Sequence, residues 1–212
     1  MTDSLRRPLK VRGVKIVNNF AKYLSHRNIS PNSISITSIL FAVLSAICFI
    51  LFGKYNYSWL LIFSAFFIQC RLLCNLFDGL VAVEGGKGTK SGELFNDIPD
   101  RISDPLLLIT AGYAINSIQY AVEIGWLAGL FSVMTAYIRT LNVSIGAPAD
   151  FKGPMAKQHR MAILTIACIL AVIETYFWSS QYSVFGALLI IVIGSLITCI
   201  NRAIFAYKFL EK

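Results

Sequence analysis

The stretch from Asn75 to Asp100 carries oxygen-bearing side chains at spacings that could hold a divalent ion. It reads Asn75-Leu-Phe-Asp78-Gly79-Leu-Val-Ala82-Val83, then eight residues, then Gly92-Glu-Leu-Phe-Asn96-Asp97-Ile-Pro-Asp100. On helices, Asn75 and Asp78 share one face, and Asn96 and Asp100 share another. If the two helices pack together, four carboxylate or carboxamide groups converge. Such oxygen donors suit Mg²⁺, Mn²⁺ or Ca²⁺, and Mg²⁺ is commonly shared with substrate phosphates. Gly79 and Ala82 remove bulk beside Asp78, and Gly92 does the same at the start of the following segment. An ion there could neutralise a diphosphate while a carboxylate takes the proton of an attacking alcohol.

The surrounding segments place this chemistry beside a membrane. Of the 212 residues, 56% are hydrophobic and only 14% are charged, and mean hydropathy is +0.66, well above an ordinary soluble domain. The apolar runs are too long for barrel strands, so composition predicts five or six helical spans. Their boundaries favour six: about 30–52, 58–83, 92–115, 121–141, 160–178 and 184–205. Ser30-Pro31-Asn32 is a helix-start signal for the first. Pro99 and Pro105 are expected to bend the early turns of the third. Carboxylates beside membrane helices are costly to place and usually functional.

The positive charge is localised. Arg6, Arg7, Lys10, Arg12, Lys15, Lys22 and Arg27 precede the first apolar run. With Leu9, Val14, Ile16, Val17, Phe20 and Leu24 at roughly helical spacing, residues 1–28 read as an amphipathic interfacial helix resting on anionic lipid. This segment is too charged and too long to be a cleaved signal peptide. Nucleic acid is a poor partner, since no soluble domain is present to carry it. Lysines and arginines fall at the N-terminus, after spans two and four, and at the C-terminus. The alternate loops hold only Lys54. The positive-inside rule then places both termini and the 75–100 window at the cytoplasmic face of an inner membrane. No internal repeat of the kind found in transporters is visible. The five cysteines all lie in apolar runs and form no zinc set. The expected architecture is one domain over residues 1–212: an all-α integral membrane protein with six transmembrane helices (29–212) after the N-terminal amphipathic helix.

The window resembles the signature of the CDP-alcohol phosphotransferase family, Asp-x2-Asp-Gly-x2-Ala-Arg-x8-Gly-x3-Asp-x3-Asp. Here it runs Asn75-x2-Asp78-Gly79-x2-Ala82-Val83-x8-Gly92-x3-Asn96-x3-Asp100, with every interval kept. The opening Ser30-Pro31-Asn32, the six spans and the N-terminal helix also resemble the family. So, less specifically, do Tyr137-Ile-Arg139 and Lys157-Gln-His-Arg160. The resemblance implies transfer of a substituted phosphate from a CDP-linked donor, commonly CDP-diacylglycerol, to an acceptor alcohol, releasing CMP in phospholipid biosynthesis. It implies one or two Mg²⁺ or Mn²⁺ ions held by Asn75, Asp78, Asn96 and Asp100, with Asp100 also the general base. It further implies a nucleotide site around Ser30, Pro31, Asn32, Gly79, Ala82, Thr89 and Gly92. Arg139, Lys157 and Arg160 would contact phosphate or acceptor, and the protein would form a homodimer among membrane lipids.

Three positions depart from the signature. Asn75 and Asn96 stand where aspartates belong, and Val83 replaces the arginine. Asparagine lends a carbonyl oxygen but no charge, so the aligned quartet carries −2 instead of −4. Asp97, beside Asn96, is an alternative ligand if the helix bends near Pro99; otherwise it is a solvated or Arg101-paired group. Lys87, Lys90 or Arg71 could stand in for the missing arginine. Asn75 and Asn96 also suit interhelical hydrogen bonds without metal. Arg139 suits either phosphate binding or snorkelling, His159 a head-group or phosphate contact, and Asp104 packing or hydration. The rival to an enzyme is a catalytically degenerate nucleotide- or lipid-binding protein of the same fold.

Overall fold

Each apolar run becomes one helix. The computed structural model describes residues 15–84, 91–178 and 180–211, and among them no strand occurs. The helices are α1 (Lys15–His26), α2 (Pro31–Tyr55), α3 (Trp59–Glu84), α4 (Gly92–Tyr113), α5 (Ala121–Ser144), α6 (Lys157–Trp178) and α7 (Tyr182–Leu210). Residues 1–14 of the expected interfacial helix, and Lys87, Thr89 and Lys90, lie outside the described residues.

Local chemistry sets the boundaries. Ser30 caps α2, its hydroxyl accepting the Ser33 N–H at 3.1 Å, and Pro31 occupies the first turn where a missing N–H costs nothing. Asn56 closes the helix in the left-handed region, φ 56°, which asparagine tolerates better than most residues. α4 runs unbroken through Pro99 and Pro105. The start of α7 is capped from the preceding helix. Glu174 on α6 accepts the Tyr182 N–H at 2.6 Å, the Ser183 N–H at 2.8 Å and the Ser180 hydroxyl at 2.6 Å. Glu174→Ala is therefore expected to cost about 1–2 kcal/mol, the upper range for a lost cap. Detergent-unfolding midpoints measure it, and an unchanged midpoint would show that the contacts contribute nothing net.

The helices close into a ring. α2 packs between α3 and α4, α5 between α4 and α7, and α6 between α7 and α3; α1 lies outside, against α3. The centre is filled by fully buried Phe49, Leu61, Ile68, Leu107, Leu108, Met161, Leu164, Leu188 and Ile191. α4 and α5 meet backbone to backbone. A Cβ on Gly112 would come within 2.8 Å of the Ala121 carbonyl oxygen and 3.0 Å of Gly125 Cα. Small residues permit this approach, as at membrane helix crossings. Ser45 and Ser64 bridge α2 and α3 by a buried 2.7 Å hydrogen bond.

The outer faces stay apolar. Ile36, Leu40, Ile47 and Ile50 on α2, and Ile166, Ile169 and Ile173 on α6, are all exposed. α2, α3, α5, α6 and α7 are long and apolar enough to cross a membrane, and a multi-pass membrane protein accounts for such a surface. α4 falls short of that apolarity because Glu93, Asp97, Asp100, Arg101 and Asp104 lie along it. It nevertheless has 22 residues, about 33 Å at 1.5 Å per residue.

Candidate active site at the polar end of the helix ring

Helical spacing gathers the charged groups. α3 presents Arg71, Asn75 and Asp78 at i, i+4 and i+7; α4 presents Asp100 and Asp104 at i and i+4; the first turn of α6 presents Lys157 and Arg160 at i and i+3. The starts of α2, α4 and α6 meet the ends of α3, α5 and α7 at this end of the ring.

Asp100 is the hub. Its Oδ1 accepts from Arg71 Nη2 at 2.8 Å, from Asn75 Nδ2 at 2.9 Å and from Lys157 Nζ. The fully buried Arg71 continues the chain, its Nη2 also lying 2.6 Å from Asp104 Oδ1 as an ion contact without hydrogen-bond alignment. Asp104 Oδ2 takes Arg160 Nη2 at 2.7 Å. Arg160 Nη1 then donates to Thr135 Oγ1 at 3.2 Å and to the Met155 carbonyl at 3.1 Å. The result is an alternating row, Lys157–Asp100–Arg71–Asp104–Arg160, buried from Asp100 to Arg160 and partly exposed at Lys157, where separated charges would be costly.

Asp78 sits beside this row. Its Oδ2 accepts the Ser35 hydroxyl at 2.6 Å, and it lies within electrostatic reach of Lys157 and Asp100. Ser35 has one proton and two acceptors, and the Pro31 carbonyl at 3.2 Å is the more distant. Asp78 therefore takes it, which ties the Ser30–Asn32 turn to the carboxylate.

The remaining positions divide. Asn75 and Asp100 are in contact, but Asn96 is exposed one turn nearer the helix end. Asp97 is 43% exposed and paired with Arg101 at 2.9 Å and with Arg139 at 3.0 Å, so neither neighbour meets Asp100. Arg139, which also lies over the Phe151 ring, is in this state an ion-pair partner. Gly79 follows Asp78, Ala82 lies one turn further along α3, and Gly92 opens α4; Val83 is exposed. A cavity of about 70 Å³ is lined by Asp97, Asp100, Arg139, Lys157, Arg160 and Arg202. Arg202, on α7, is a charged lining residue that the sequence assigned to no site role. Its available signal was a lone cation in a long apolar run. Arg202 is buried and donates through Nε to the Lys152 carbonyl at 3.2 Å.

The donor set sets limits on a metal. Among the described residues no three histidine, cysteine, aspartate or glutamate side chains cluster as a metal-holding group. Asp78 and Asp100 are the two carboxylates of the quartet, so an ion held by them must complete its shell with carboxamide oxygens, water or phosphate oxygens. That is the usual habit of Mg²⁺, and on those terms the residues fit a divalent ion.

One end of this ring of apolar helices thus carries two buried carboxylates, Asp78 and Asp100, and a cavity whose charged lining is mainly cationic. Residues 28–200 match the CDP-alcohol phosphatidyltransferase family, and the chain belongs to it. It is 25% identical over 196 residues to a phosphatidylinositol phosphate synthase of Streptomyces avermitilis, an alignment spanning 90% of this chain and 77% of that protein. The fold is that of the Mycobacterium tuberculosis phosphatidylinositol phosphate synthase. Its structure with CDP-DAG bound gives a TM-score of 0.76 at 20% identity, over 92% of this chain and 94% of that one. Its complex with manganese and citrate gives 0.75 at 20% identity, over 90% and 88%. At that identity the likeness establishes the fold alone.

Proposed function

We propose that this chain transfers a phosphatidyl or similar substituted phosphate from a CDP-alcohol, such as CDP-diacylglycerol, to an acceptor alcohol, releasing CMP. The observation that carries this reading is Asp100, buried beside Asp78 and held by Arg71, Asn75 and Lys157 at the mouth of a basic cavity. Family membership and a relative named as a phosphatidylinositol phosphate synthase support it. α4 serves as the sixth span, α1 lies in the membrane interface, and the site faces the cytoplasm, the side that the lysine and arginine distribution favours. A homodimer among membrane lipids is part of the same reading.

Asp78 and Asp100 would hold Mg²⁺ or Mn²⁺, which when bound supplies charge neutralisation at the diphosphate. The nucleotide lies along Ser30–Asn32, Gly79, Ala82, Thr89 and Gly92. Lys157 and Arg71 hold the Asp100 carboxylate in place at rest. A phosphate that draws Lys157 away frees an oxygen of this carboxylate for the acceptor. Asp100 then takes the acceptor hydroxyl's proton. The alcohol oxygen forms a bond to the β-phosphorus, and the bond from that phosphorus to the bridging oxygen breaks. CMP leaves with the bridging oxygen. Arg139, Lys157 and Arg160 bind phosphate, and an anionic acceptor suits their charge.

A second reading, a nucleotide or lipid binder without turnover, is favoured by Asn75, Asn96 and Val83. The experiment is CMP release by the purified protein in nanodiscs, with CDP-diacylglycerol, a panel of alcohols, and Mg²⁺ or Mn²⁺ against chelator. Metal-dependent release with one alcohol is expected, and names the acceptor. Nucleotide binding without release under any condition would establish the binder instead.

A further inference from the structure

We infer that Arg71 acts as a built-in cation of the site, so that this chain binds one divalent ion per chain and has no place for a second. The inference rests on the metal-bearing reading above and adds the ion count and the residue that sets it.

Charge decides the count. Asp78, Asp100 and Asp104 are all buried, and the row sets them among Arg71, Lys157 and Arg160. These three carboxylates and three cations cancel before any ion arrives. Arg202 lies within electrostatic reach of the cations Arg139 and Arg160 as well as of the buried Asp150, so it brings no spare negative charge, and Asp97 with its arginine partners is partly solvated. One divalent ion and one diphosphate diester of charge −2 keep the interior neutral. A second ion adds two uncompensated positive charges in a buried site, where each unpaired charge costs several kcal/mol.

Geometry agrees with charge. A second ion would need oxygens from Asp100 and the asparagine positions. Asp100 Oδ1 already takes Arg71, Lys157 and Asn75, and Asn75 turns its amide nitrogen to it. Asn96 is exposed. Arg71 cannot withdraw to water, because it is fully buried and spans Asp100 and Asp104. Its Nε and Nη1 have no hydrogen-bond partner among the described residues. A guanidinium so fixed supplies positive charge and spare donors where an ion would otherwise be required.

Counting bound Mn²⁺ tests this without reference to turnover. Protein in phosphatidylcholine nanodiscs containing CDP-diacylglycerol, a diphosphate diester, is titrated with Mn²⁺. Free ion is followed by electron paramagnetic resonance against protein-free nanodiscs holding the same CDP-diacylglycerol. Wild type is expected to bind one Mn²⁺ per chain; two, or none, overturns the inference. In the double variant Asn75→Asp/Asn96→Asp, with Arg71 retained, position 96 is exposed and its charge solvated. Only position 75 then adds a part-buried negative charge, and two ions would still leave an excess positive charge. The count is expected to stay at one, and a rise to two overturns the inference. Adding Arg71→Leu to that pair is expected to raise the count to two, and a count that stays at one overturns Arg71's role. Should that triple variant fail to fold, the wild-type and double-variant counts still decide. Failure of CMP release would instead strike the transferase reading, so the two fail separately.

Discussion

Asp100→Asn is expected to lower CMP release by about two to four orders of magnitude, the range that general acid–base catalysis contributes, while CDP binding survives. The substitution keeps an oxygen where Arg71, Asn75 and Lys157 donate, so the packing around position 100 changes little. What disappears is the negative charge that receives the acceptor's proton and that Asp100 would also lend to the divalent ion, so release should be compared at saturating Mg²⁺. Alanine would be a poorer probe, since it also strips three donors of their shared acceptor and risks misfolding. Single-turnover CMP release and CDP binding should be measured on the same preparation. Activity within threefold of wild type would remove Asp100 from the role of base. Equal loss of CDP binding and release would make it a binding residue instead.

Much of the fold was legible because membrane helices announce themselves by length and apolarity. The expected start of α2 at Ser30-Pro31 and the segment beginning at Gly92 were read from capping and spacing alone, and the helices begin there. Period also placed Asn75 with Asp78 and Asn96 with Asp100 on shared faces. Period does not say how far two helices overlap. Asn96 lies a turn nearer the helix end than Asp100 and stays exposed, so the four groups do not converge as a set. Asp104 was read as packing or hydration, because its partners Arg71 and Arg160 come from other helices. Arg71 was considered only as a substitute for the arginine missing at Val83. Its contacts with Asp100 and Asp104 depend on the ring closing, a long-range fact that no local spacing contains.

Asp104 carries the other large expected effect, on stability. Asp104→Ala leaves Arg71 and Arg160, both buried, without the carboxylate between them. Breaking a buried pair from one side costs roughly 3–5 kcal/mol, because the surviving charge has no counter-charge and no water. The loss should appear as an unfolding midpoint shifted to lower denaturing-detergent concentration. Arg71 retains Asp100 at 2.8 Å, whereas Arg160 keeps only Thr135 and the Met155 carbonyl, so Arg160 is the more exposed to the change. Removing both ends of that pair, as Asp104→Leu with Arg160→Met, should recover much of the loss, since apolar replacement of a buried ion pair is often neutral. A single-variant cost below about 1 kcal/mol, the scale of a surface pair, would mean that water reaches the row. It would also weaken the charge argument for a single ion, because a hydrated site tolerates the excess positive charge that a dry one rejects.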